Sequence, residues 1–116
     1  MKVVATPKAL DLIGRRGGRV WVWLDPHQWA GGGYTWLETH CEPPGTSRKS
    51  RFTRSSRRPH RFRRMDAEGF ELNVDFGTFD PPEELVLDVK GLLSKRVEAY
   101  WNGGVFVGTD PLADDT

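Results

Sequence analysis

The chain has one cysteine, Cys41, among its 116 residues. That excludes an internal disulfide framework and any multi-thiolate metal site within one subunit, and it fits a reducing compartment. Long apolar runs are also missing. The longest, Val20 to Leu24, has five residues, far below the roughly 18 that a spanning helix needs. After Met1-Lys2-Val3-Val4 the polar Thr6-Pro7-Lys8 follows at once, so no apolar core of a secretory signal is present and a cytoplasmic location is expected. Acidic residues are absent from 46 to 64, TSRKSRFTRSSRRPHRFRR, where nine of the 17 basic residues lie: Arg48, Lys49, Arg51, Arg54, Arg57, Arg58, Arg61, Arg63 and Arg64. The other eight face all 16 acids. The formal charge of +1 therefore conceals a body of −8 carrying a segment of +9, an asymmetry that governs the choice of partner more than the sum does.

At this length one core and one domain are expected, spanning residues 1–116. Thr6 to Gly14 reads as a short helix: Thr6 caps it, Pro7 suits its first turn, Gly14 closes it, and Ala9, Leu10 and Ile13 face inward. Arg19 to Leu24 is a strand apolar on both faces, expected at the centre of a sheet or covered on its second side by the helix, and ended by Asp25-Pro26. Trp29 to Gly33 is a permissive loop, and Tyr34 to His40 is a second strand. Phe70, Leu72, Val74 and Phe76 alternate with Glu71, Asn73 and Asp75, which predicts a strand with one wet face. Glu84 to Val89 forms another strand, and Val97 to Val107 a hairpin around Asn102-Gly103-Gly104. The fold expected is mainly β with one short N-terminal helix, an antiparallel or mixed β-rich domain. A basic insertion occupies about 46–65, and a frayed acidic tail occupies about 108–116.

The opening Val4-Ala5-Thr6-Pro7-Lys8-Ala9-Leu10, the run Gly17-Gly18-Arg19-Val20-Trp21-Val22, the glycine loop Gly31-Gly32-Gly33-Tyr34, and the later strand and hairpin together resemble the HesB/IscA-like family, the A-type iron–sulfur carriers. The resemblance covers most of the chain outside the basic insertion and implies that family's fold. In the family a cysteine in the glycine loop and a Cys-Gly-Cys pair near the C-terminus hold the cluster. Here the loop has only glycines, the end reads Gly108-Thr109-Asp110-Pro111, and Cys41 stands elsewhere. No family ligand transfers to a residue of this chain, and no cofactor is expected.

The arginine-rich segment points to phosphate neutralisation. Eight arginines to one lysine favour bidentate contacts, and Phe52, His60 and Phe62 are available to stack on exposed bases. The partner implied is RNA or another phosphate-rich polymer. Two alternatives stand beside it: a solvated loop whose charges pair with the acidic body, and a site for other anions or lipid headgroups. Trp21 and Trp23 share a strand face and would offer a homodimer or protein contact if left uncovered; ordinary packing explains five tryptophans equally. His27, His40 and Cys41 are weak metal or nucleophile candidates, because His40 and Cys41 are neighbours that point to opposite faces of a strand. Gly31-Gly32-Gly33 lacks the Gly-Lys-Ser/Thr ending of a phosphate loop. The expectation is a noncatalytic polyanion-binding protein, with an accessory role in iron–sulfur assembly or iron binding as the alternative.

Overall fold

The computed structural model describes residues 1–29, 32–43, 61–77, 79–104 and 106–109; at 26–29, 32–34 and 106–109 it describes strand pairing only. The elements are β1 (Lys2–Ala5), α1 (Pro7–Arg15), β2 (Arg19–Trp29), β3 (Gly32–His40), β4 (Arg63–Ala67), β5 (Phe70–Asp75), β6 (Glu84–Lys90), β7 (Arg96–Trp101) and β8 (Phe106–Thr109). They form a three-stranded sheet, β1-β6-β7, and a five-stranded sheet, β4-β5-β2-β3-β8. The chain is thus mainly β with one short helix, as the sequence implies. The sheets are mixed, since β1 runs parallel to β6 and β2 parallel to β5. No helix among the described residues is long and apolar enough to cross a membrane.

Helix α1 begins where expected. Thr6 Oγ1 accepts from the Ala9 amide at 3.2 Å and donates to Asp88 Oδ1 at 2.9 Å, tying the cap to β6. It does not stop at Gly14. The chain turns at Gly17 and Gly18, with φ of 113° and 79°, and the Gly18 amide donates to the Ile13 carbonyl at 2.8 Å. Ala9 and Ile13 are buried, but Leu10 is 37% exposed and Leu12 packs against the core in its place. A Cβ at Gly69 would sit 3.6 Å from Leu10 Cδ2, so Leu10 instead flanks the tight β4–β5 turn.

Proline does not end β2. Its pairing with β5 stops at Trp23 opposite Asp75, while its pairing with β3 continues to Trp29 opposite Gly32. Pro26 therefore lies where one side of the strand has no partner among the described residues, a position in which the missing N–H costs little. The presumed 29–33 loop is mostly strand. The turn at Asn102 and Gly103 is real, with φ of 48° and 92° and reciprocal bonds between Trp101 and Gly104. However, β7 and β8 separate there: β8 pairs with β3 in the other sheet. Gly108 and Thr109, assigned to the tail, belong to β8, and 110–116 lie outside the described residues.

One core joins the layers. Val20, Val22, Leu72 and Val74 from the large sheet meet Leu85, Leu87, Val97 and Ala99 from the small one, with Ala9 and Ile13 of α1 beside them. The alternation on β5 holds for its apolar face. On the other face Asn73 is buried, donating through Nδ2 to Glu71 Oε2 at 3.0 Å and to the Val20 carbonyl at 3.4 Å.

Thr6→Ala is expected to cost about 1–2 kcal/mol, the usual loss of a threonine cap. Asp88 is held below the usual carboxylate range, first by the Val89 amide and then by the Thr6 hydroxyl. A depressed folded pKa stabilises above the unfolded value of about 3.9 and loses that effect as pH falls through the folded value. Denaturant unfolding at neutral and acidic pH should therefore show the gap between Thr6→Ala and the wild type narrowing in acid.

Candidate functional site

The strand register sorts the large sheet into two faces. Opposite the core lie Trp21, Trp23 and Asp25 of β2, their β3 partners His40, Glu38 and Trp36, and Glu71, Asn73 and Asp75 of β5. Arg64 and Asp66 of β4 join them through pairing with Asn73 and Glu71. Neither α1 nor the small sheet covers this face, yet Trp21 and Trp23 are only 8% and 3% exposed. The open aromatic patch that a Trp21–Trp23 dimer contact requires is therefore not there. Trp23 stacks on His40, with ring centroids 5.0 Å apart and planes at 21°, and meets Phe62 edge-on at 6.1 Å. The Arg19 guanidinium lies 5.4 Å from the Trp21 ring.

This face receives the C-terminal end of the arginine-rich segment. The Arg61 amide donates to Asp75 Oδ2 at 3.1 Å, and Arg64 Nε lies 3.0 Å from Glu71 Oε1, with Asp66 at 3.8 Å from Nη2. Arg63, Arg64 and Met65 are residues of edge strand β4, so the insertion expected over 46–65 ends earlier. Phe62, expected to be open for base stacking, is half-buried against Trp23. Arg61 and Arg63 are exposed and form no ion pair among the described residues. Arg48, Lys49, Arg51, Phe52, Arg54, Arg57, Arg58 and His60 lie outside the described residues.

The metal and nucleophile candidates are not brought together. His40 stacks on the outer face and shares a 3.2 Å hydrogen bond with Glu38 Oε2, whereas Cys41 packs against the core. His27 pairs with Tyr34 in the β2–β3 ladder, and its side chain lies outside the description. Among the described residues no three His, Cys, Asp or Glu side chains are grouped to hold a metal. Burial pushes the Cys41 thiol above its ordinary range, opposed by the nearby Arg16. Since the thiolate is the nucleophile, Cys41 should alkylate several-fold more slowly in the folded protein than in denaturant at pH 8. Iodoacetamide labelling followed by mass spectrometry checks this.

A second feature was not foreseen. Between the end of β3 and the β6–β7 hairpin lies a cleft of about 840 Å³, lined by residues from distant parts of the chain: Leu12 and Arg16, Trp23 of β2, Trp36 to Pro43, and from the hairpin Lys90, Gly91 and Ser94 to Glu98. At its wall Glu98 is buried, 3.6 Å from Lys90 Nζ, and accepts from the Tyr100 hydroxyl at 3.4 Å. Arg16, Lys95 and Arg96 are exposed and form no ion pair among the described residues. Leu92 and Leu93, on the hairpin turn outside the lining, are 96% and 103% exposed. The sequence carried one trace of this: Lys90-Gly91-Leu92-Leu93-Ser94-Lys95-Arg96 sets an apolar pair between cations and breaks the β6 alternation.

Comparisons with protein-family models, curated proteins and solved structures give no match.

Proposed function

We propose that this protein is a noncatalytic binding module that presents Arg48 to Arg64 to a polyanion, RNA being the partner that the chemistry fits best. The supporting observation is the root of the segment. Its last residues are fastened to the outer sheet face through the Arg61 amide, the Phe62 ring and the Arg64 side chain, while the Arg61 and Arg63 guanidinium groups stay exposed, with no ion pair among the described residues. A root held by backbone, ring and the Arg64 side chain leaves the Arg61 and Arg63 charges for phosphate. The self-paired alternative would instead have each guanidinium engaged with the acidic body. Separation of His40 from Cys41 favours a noncatalytic role, because thiol–imidazole chemistry requires the two in contact.

Anisotropy titrations with a labelled single-stranded RNA test the reading. Arg61→Gln/Arg63→Gln should reduce the slope of log K against log salt by about 1.4, at roughly 0.7 per phosphate contact. Arg64→Gln should change it less, since that side chain already faces Glu71. An unchanged slope in the double variant would remove Arg61 and Arg63 from the interface.

A further inference from the structure

We propose that the cleft between β3 and β7 is a docking groove for an extended acidic peptide of a partner protein, bound by strand addition to the free edge of β3. On its far side β3 is paired by β8 only from Tyr34 to Trp36. From Leu37 to His40 that side has no strand partner among the described residues. In an antiparallel ladder alternate residues turn their N–H and C=O groups away from the existing partner. Half of this stretch therefore offers backbone donors and acceptors at β spacing, about 6.6 Å apart along the strand.

The facing wall is also an edge, because β7 is the last strand of its sheet. One bond tethers the two edges, from the Ala99 amide to Thr39 Oγ1 at 3.1 Å, and the cleft opens beside it. Edges of this kind are normally blocked or used for recognition.

Charge and apolar surface define the occupant. Of the charges lining the cleft, Lys90 is paired with Glu98, which leaves Arg16, Lys95 and Arg96, with no ion pair among the described residues, against Glu38 and Glu42. The surplus is positive, so an acidic ligand is favoured. Leu12 and Trp36, half-buried residues of the lining, supply the apolar contact that alternate side chains of an added strand would need. Nucleic acid has no backbone that repeats amide donors and acceptors at this spacing, so an open strand edge selects peptide. The site adjoins the root of the arginine-rich segment, since Trp23 lines the cleft and meets Phe62, and its test is read without RNA.

The probe is a labelled peptide alternating glutamate and valine, read by anisotropy and by hydrogen exchange of the intact protein. Binding should protect amides within Leu37 to His40. Lys95→Glu/Arg96→Glu should weaken it by about tenfold or more through charge reversal. Leu92→Ser/Leu93→Ser, at exposed positions outside the lining, should leave binding unchanged. Both pairs are exposed, so the fold should persist, and circular dichroism checks this. A lysine-for-glutamate version of the peptide should bind far less well. The proposal is overturned if the peptide does not bind at millimolar concentration, if it binds without protecting β3, or if the lysine version binds equally. It is also overturned if anionic vesicles, and not the peptide, are captured through Leu92 and Leu93.

Discussion

Trp23→Ala is expected to lower the unfolding free energy by about 3–5 kcal/mol, the range for removing a buried large aromatic side chain. The ring is 3% exposed on the sheet face that neither the helix nor the small sheet covers, with His40 stacked on it and Phe62 against its edge. Removal leaves a cavity and frees both neighbours, so the loss should exceed that of a surface aromatic several times over. Trp23→Phe, which keeps part of the stack, should fall between. Because the burial lies within a single chain, the loss should be independent of protein concentration in denaturant titrations. A cost under about 1 kcal/mol, or one that grows with concentration, would return Trp23 to an intermolecular interface.

Replacing all nine basic residues from Arg48 to Arg64 with glutamine should reduce RNA affinity at least about 100-fold at low salt. Nonspecific binding to nucleic acid rests almost entirely on phosphate neutralisation and counterion release, and this stretch holds nine of the chain's 17 cations. The remaining body carries eight basic residues against 16 acids and should repel the polymer. Far-ultraviolet dichroism of the variant distinguishes lost binding from lost fold. A change below about threefold would assign the binding elsewhere.

Where one rule governs a segment, the sequence was readable. The β5 alternation survived because one face meets the core and the other does not, and the Thr6-Pro7 start survived because capping is local. Pro26 misled because its tolerance depends on where β5 ends, which is long-range information. The two parallel pairings, the short β1 and the departure of β8 to the other sheet were hidden for the same reason: no local pattern encodes which strand lies next to which. Strand β4 was masked by its charge, as Arg63 and Arg64 read as insertion although they stand on a sheet edge where arginine is well solvated. Of the site residues, the basic segment was visible as composition. The cleft was not, since Arg16, Trp36 to Pro43 and Ser94 to Glu98 meet only in the folded chain.

The most direct test of the segregated-charge account is the salt dependence of single-stranded RNA binding by the unmodified protein. With up to nine phosphates neutralised, log K should fall against log salt with a slope approaching about −6. A slope near zero between low and moderate salt would contradict it.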